Sequence, residues 1–274
     1  MKKIYFILIF LTGFITAYAQ NGSDSAQVAV QVEMPQDAAT QDLLTKTKTE
    51  ADSAYIRNDF ATAVEIYESI LKNKGESSDI YYNLGNSYYK MDNIAKAVLN
   101  YERALLLSPG NSDIRFNLEL ARGKTIDKVT PPSEMFFITW TQSLINTMSE
   151  KAWAYTGIIM FILMILALSL FVFGKQVVLK KVGFISAIFF FLVTILANIF
   201  ASEQKNELIN HDNAIIMAPS VTVKSTPNQS GTDLFILHEG RKVMIKDNTM
   251  KEWKEIKLED GNVGWVPTSV IEII

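Results

Sequence analysis

Two long apolar segments constrain the fold of this chain more than any other feature. Residues 153–174 and 182–201 contain no Asp, Glu, Lys, Arg or His. At a rise of about 1.5 Å per residue, each segment is long enough to cross a hydrocarbon core of roughly 30 Å as a helix. The alternative is a pair of buried helices in a large soluble domain. Two uninterrupted runs, with Trp153 and Tyr155 at one boundary, favour a transmembrane hairpin.

The short turn between these segments predicts the orientation of the hairpin. Residues 175–181 carry Lys175, Lys180 and Lys181 and no acidic residue. Positively charged loops remain on the cytoplasmic side of a membrane. We therefore expect both flanking domains to lie on the opposite side of a bacterial inner membrane, in the periplasm.

The first residues support this topology independently. Lys2 and Lys3 precede an apolar run, and Ala17-Tyr18-Ala19 fits the small-residue pattern at which signal peptidase cuts. Residues 1–19 are therefore predicted to be a secretory signal peptide. Residues 20–41 lack a sustained helical or strand period, and we interpret them as a flexible tether.

Composition limits the chemistry that this chain can perform. Among 274 residues there is no cysteine, which excludes disulfides, thiol nucleophiles and a lipoprotein anchor. A net charge of −3 without a polybasic patch does not favour nucleic acid as a partner. His211 and His238 are the only histidines and lie far apart, so neither a metal site nor a catalytic triad is expected. The sequence predicts a protein that is not an enzyme and needs no cofactor.

An internal repeat precedes the hairpin. At an offset of 34 residues Tyr55 aligns with Tyr89, and Tyr67 with Tyr101. Helix-turn-helix units with this period are typical of tetratricopeptide repeats. The resemblance is carried by Tyr81, Leu84, Gly85, Tyr88, Ala97, Tyr101, Ala104 and Pro109 of the second copy. We assign the domain to residues 42–128, with a third helix from Ser112 to about Thr125 as its cap.

The residues shared by the copies are expected to pack the helices together. Glycine and alanine allow helices to approach closely, and tyrosine fills the contact with the next hairpin. The predicted packing residues are Ala63, Tyr67, Gly85, Ala97, Tyr101, Ala104 and Pro109.

A binding groove is predicted on the inner face of the first helices. The residues expected to line it are Tyr82, Asn83, Asn86, Lys90 and Asn117. The three asparagines are expected to point away from the contacts between helices. Amides in such a groove can bind the N–H and C=O groups of an extended peptide, and Lys90 can bind a carboxylate. The alternative is an ordinary solvated helix face. The C-terminal carboxylate clamp of some tetratricopeptide domains is not predicted, because Asp113 and Asn117 stand where it needs cations.

The segment before the hairpin has an amphipathic pattern. Phe136, Phe137, Trp140 and Leu144 recur at helical spacing within residues 134–150. We interpret it as a helix lying at the membrane–water interface, with a partner-binding helix as the alternative. Within the hairpin, Gly183 and Ala187 form a small-xxx-small step that allows close helix packing.

The C-terminal region has a different composition. Short β-rich runs separated by Gly, Pro, Asn and Asp-Gly turns fill residues 213–274, which indicates a small all-β barrel. A Val-x-Ser-x-Pro strand, Leu-His-Glu-Gly-x-Lys-Val and Asp-Gly-x-x-Gly-Trp-Val resemble bacterial SH3 domains. Trp253 and Trp265 are expected to be core or half-buried, with a binding role as the alternative.

The order of these segments resembles the BatE-type proteins of the aerotolerance operons of Bacteroidota. The resemblance implies a multidomain chain with tetratricopeptide repeats, a two-helix transmembrane hairpin and an SH3-like barrel. It further implies von Willebrand factor A-domain Bat proteins and a MoxR-type ATPase as partners. Two hypotheses follow: an adaptor that assembles protein partners at the membrane, or a protein whose barrel binds peptidoglycan.

Overall fold

The computed structural model describes residues 48–128 and 136–274. The predicted signal peptide (1–19) and tether (20–41) lie outside the described residues. The same is true of residues 42–47 and of the segment 129–135 between the repeats and the hairpin.

The repeat region consists of five helices. Helix α1 is described over residues 48–56 and is followed by α2 (Phe60–Lys74), α3 (Ser78–Lys90), α4 (Ile94–Leu107) and α5 (Ser112–Arg122). The order confirms the helical repeat predicted from the sequence.

The turns between paired helices repeat with the same period as the helices. Asn58 and Asp92 both adopt left-handed backbone conformations, with φ of 60° and 58°. The next residue caps the following helix: Asp59 accepts from the Thr62 N–H, and Asn93 accepts from the Lys96 N–H. Asn and Asp tolerate a positive φ and cap helix N-termini, so these pairs define the turn chemically.

Three further helices follow. Helix α6 (Phe136–Ile145) buries none of its residues, and α7 (Glu150–Phe173) and α8 (Val177–Asn210) pack as a hairpin. The observed turn, 174–176, is shorter than the predicted 175–181, because residues 177–181 already belong to α8. A Cβ at Gly183 would lie 2.7 Å from the Ala167 carbonyl oxygen and from the Phe171 nitrogen. Gly183 therefore lies where α8 contacts the backbone of α7.

The C-terminal region forms one seven-stranded antiparallel sheet in the order β3-β2-β6-β5-β4-β1-β7. A 3₁₀ helix (Thr268–Val270) precedes the last strand. The strands are β1 (Asn213–Ile216), β2 (Ser220–Lys224), β3 (Asp233–His238), β4 (Lys242–Asp247), β5 (Trp253–Lys257), β6 (Val263–Pro267) and β7 (Ile271–Ile273). Alternate residues face the core, among them Val223, Val243, Ile256 and Val266.

The sheet packs directly against the repeat helices. Ile215 of β1 is fully buried in the same apolar cluster as the repeat residues. Asp127 accepts hydrogen bonds from the backbone N–H of His238 at 2.7 Å, and its other carboxylate oxygen lies 2.8 Å from the ring Nδ1. Arg103 of α4 donates to Glu272 of β7. The repeat region before the hairpin and the sheet after it are thus in direct contact.

Candidate protein-interaction surface

The predicted groove residues lie together on helices α3 and α5. Tyr82, Asn83, Asn86 and Asn117 are partly exposed, and Lys90 is exposed. Lys90 makes no hydrogen bond or ion pair with any residue in the described ranges. The structure therefore brings the five side chains to one region, although it does not leave them all free.

The three asparagines bridge neighbouring helices. Asn83 Nδ2 donates to Asp52 of α1 at 3.4 Å. Asn117 Nδ2 donates to the Tyr82 hydroxyl at 2.9 Å and to Asn86 Oδ1 at 3.0 Å. We had expected these side chains to point away from the contacts between helices. The expectation is wrong for all three. Asn83 bonds to α1, Asn117 bonds to α3, and Asn86 accepts from residues of α4 and α5, because short amides can reach the polar groups of adjacent helices.

Two tyrosine hydroxyls complete the network. Tyr101 donates to Asn86 Oδ1 at 2.7 Å, and Tyr67 donates to Asp52 Oδ1 at 2.5 Å. Burial, together with the hydrogen bond to Asp52, raises the pKa of the Tyr67 hydroxyl, so this group remains a proton donor at neutral pH. Buried tyrosines therefore fix the side chain of Asn86 directly and that of Asn83 through Asp52.

This network leaves half of each amide available. Within the described part of the chain, Asn83 Oδ1, Asn86 Nδ2 and Asn117 Oδ1 have no hydrogen-bond partner. The surface therefore presents an acceptor, a donor and an acceptor, with Lys90 on the same helix as the first two. Peptide backbone offers the complementary groups.

The predicted packing residues are almost all buried. A Cβ at Gly85 would lie 2.7 Å from two ring carbons of Tyr101, which is closer than an added atom can be accommodated without movement. Ala63, Ala97 and Ala104 are 0% exposed, Tyr67 and Tyr101 are 1% exposed, and Pro109 is half-buried. These residues fill the contacts between helices and leave the surface to others.

The two tryptophans of the sheet lie on its outer face. Glu255 is paired with Trp265, and Trp253 is paired with Pro267 on the same two strands. Inward positions alternate with them: Ile256 and Val266 are fully buried, whereas both tryptophans are half-buried.

Sequence reasoning missed several polar residues that the structure uses. Asp52 joins Lys48, Tyr67 and Asn83. Lys254 occupies an inward position of β5, where its Nζ donates to the carbonyls of Asn248 and Met250. The one sequence signal for Lys254 was its spacing of two residues from Ile256, which places both side chains on the same face of a strand.

Comparison with known proteins supports the repeat assignment. The tetratricopeptide repeat family matches residues 78–111. This stretch covers α3, α4 and the turn that leads into α5. It confirms the second copy, on which the sequence resemblance rested. No curated protein matches the chain.

Proposed function

We propose that this protein is a non-catalytic, membrane-anchored scaffold whose repeat domain binds an extended segment of a protein partner. The observation that carries the proposal is the acceptor–donor–acceptor arrangement of Asn83 Oδ1, Asn86 Nδ2 and Asn117 Oδ1. A strand of a partner offers N–H and C=O groups in alternation, and Lys90 adds a cation for a nearby carboxylate. Tetratricopeptide repeats are themselves typical of interaction modules.

Helices α7 and α8 are proposed as the anchor. Both are long and apolar enough to cross a membrane, with mean hydropathies of 2.8 and 2.5. In each helix only 11% of the most apolar 18-residue stretch is buried inside the protein, whereas a core helix of a soluble domain would be mostly buried. The exposed apolar side chains of α6, such as Phe136 and Trp140, suit a helix at the interface.

The proposed orientation places the repeats and the sheet together in the periplasm. A two-helix hairpin returns the chain to the side from which it entered, and the contacts between Asp127 and His238 require both regions on one side. The lysines of the turn favour the cytoplasm for the hairpin tip. Periplasmic location rests on that charge rule and on the predicted signal peptide.

The C-terminal sheet is proposed to be an SH3-like barrel. Strands β7-β1-β4-β5-β6 run consecutively in the sheet, β2 and β3 form an additional hairpin, and a 3₁₀ helix precedes β7. This arrangement fits the SH3 resemblance noted in the sequence. By the same resemblance to BatE-type proteins, the partners would be von Willebrand factor A-domain Bat proteins and a MoxR-type ATPase.

A second candidate function is binding of peptidoglycan through the sheet. It is favoured by Trp253 and Trp265, which lie on the outer face of neighbouring strands. Aromatic faces on a sheet surface suit contacts with sugars or peptide stems. Co-sedimentation of the full-length protein with isolated cell wall, and its loss in Trp265→Ala, would favour this function over the scaffold.

The scaffold is tested by changes that spare the internal network. In Asn86→Asp a carboxylate oxygen still accepts from Tyr101 and Asn117, but the free Nδ2 donor is lost, and Lys90→Gln removes the cation. We expect the double variant to lose partners that co-purify from native membranes. The control, Lys72→Gln with Asn73→Asp on exposed positions of α2, makes the same charge change and should retain them. An unchanged partner set in the Asn86/Lys90 variant would disprove the proposed groove.

A further inference from the structure

A cavity lies at the junction of the repeats, the hairpin and the sheet. Its volume is about 230 Å³, and it is lined by residues of α4, of the loop after α6, of the polar end of α8, and of β1 and β4. The lining groups that matter for its chemistry are Glu102, Gln204, Glu207, Asp212 and Lys242.

One polar side chain in this lining is buried with an unused acceptor. Gln204 is 5% exposed, and its Nε2 donates to the carbonyl oxygens of Ile145 at 2.9 Å and Met148 at 2.7 Å. Its Oε1 has no hydrogen-bond partner among the residues that the structure describes. A buried acceptor without a partner is costly, so a donor at this position would stabilise the site.

The charges of the lining point to the same kind of ligand. Glu207 and Asp212 form no ion pair within residues 48–128 and 136–274, and Lys242 is already bound to Glu102 at 2.9 Å. The buried Gln204 oxygen therefore lacks a donor, and two exposed carboxylates beside it have no cationic partner in the described part of the chain. A primary ammonium group has three N–H donors and a positive charge, which matches these three acceptors.

The position of the cavity on α8 indicates where such a ligand would come from. The apolar run ends at Ala201, so Gln204 lies about 4.5 Å and Glu207 about 9 Å beyond it along the helix. The polar headgroup layer on each side of a bilayer is roughly 5–8 Å thick. If the hairpin spans a membrane, as proposed above, Gln204 lies within the headgroup layer and Glu207 just beyond it. The cavity therefore lies at the outer edge of the headgroups.

We propose that this cavity binds the primary ammonium of an aminophospholipid headgroup, such as that of phosphatidylethanolamine. The ammonium donates to the carboxylates of Glu207 and Asp212 and to Gln204 Oε1. Phosphatidylcholine, whose quaternary ammonium has no N–H, cannot make these bonds. The bound headgroup would join the repeats and the sheet to the membrane surface.

The test uses the full-length protein in detergent, with native mass spectrometry to count bound lipid. Wild-type protein is expected to retain phosphatidylethanolamine at least fivefold more than phosphatidylcholine. Glu207→Gln combined with Asp212→Asn should abolish this preference. Glu203→Gln, at an exposed position on the same helix outside the lining, should preserve it.

Equal retention of the two lipids by wild type would overturn the proposal, and so would an unchanged preference in the double variant. Binding of soluble ethanolamine as tight as that of the lipid would also overturn it and would assign the site to a free amine. A cross-link from Glu207 to a lysine of a co-purifying protein would replace the lipid by a protein partner. Extraction of the membranes with alkaline carbonate separates the two proposals, because release of wild-type protein would disprove the anchor itself.

Discussion

Glu102 of the repeat helix α4 and Lys242 of strand β4 form an ion pair of 2.9 Å although they lie 140 residues apart in the sequence. Glu102 is 5% exposed and is also bound by Arg122 of α5. The helical hairpin of α7 and α8 lies between the two partners in the chain. This buried carboxylate therefore connects the regions before and after the hairpin.

Removing the Glu102 charge should loosen that connection. Glu102→Gln leaves Lys242 and Arg122 without their shared carboxylate, and breaking a buried ion pair costs about 3 kcal/mol of the free energy of unfolding. Thermal unfolding in detergent, followed by tryptophan fluorescence, should show a lower Tm. Glu119→Gln is the control, because Glu119 binds the same Arg122 but is 62% exposed and should cost well under 1 kcal/mol. Equal Tm values for the two variants would contradict the role of Glu102.

The contribution of Glu102 should depend on pH. Burial alone would raise the pKa of its carboxyl, but Lys242 and Arg122 together hold it below its ordinary value of 4.5. A lowered folded-state pKa contributes stability that is present above the unfolded value and is lost as pH falls through the folded one. The Tm difference between wild type and Glu102→Gln should therefore persist at pH 7 and shrink below pH 4.5. A constant difference over this range would be inconsistent with the ion pair.

Gly85 should not tolerate even the smallest side chain. In an ordinary helix Gly→Ala stabilises by about 1 kcal/mol. Here the added Cβ would lie 2.7 Å from the Tyr101 ring, so we expect Gly85→Ala to lower stability by about 1–3 kcal/mol. Glu65→Ala, at an exposed position of α2, should change it by less than 0.5 kcal/mol. A stabilised Gly85→Ala variant in the same Tm measurement would show that α3 and α4 are not in close contact here.

The absence of native cysteine allows a direct test of topology. Single cysteines at Asn73, Gln176 and Asn228 occupy exposed positions in the repeats, the hairpin turn and the sheet. With a membrane-impermeant thiol reagent on intact spheroplasts, Asn73→Cys and Asn228→Cys should be labelled and Gln176→Cys should not. Labelling of Gln176→Cys alone would show that the orientation is the reverse of the proposed one. Labelling of one domain without the other would contradict a hairpin that crosses the membrane twice.

Local patterns in the sequence were sufficient to predict most of the helices and strands that the structure describes. The uninterrupted apolar runs predicted α7 and α8, and the 34-residue period predicted the repeat that the family comparison matches. Short β-rich runs predicted strands β2 to β6, but not β1 or β7. Each of these signals is local, because helix and strand periodicity and turn chemistry depend on neighbouring residues.

The tertiary structure decided how these elements are joined. The sequence did not indicate that Ile215 packs into the repeat core, that Glu102 binds Lys242, or that Asn83 and Asn117 bridge helices. Such contacts depend on which residues distant in the chain meet in space, and a sequence pattern carries no signal for that. The same amide that a helix wheel places on an open groove can reach a neighbouring helix, and only the packing of the helices determines which of its atoms remain free.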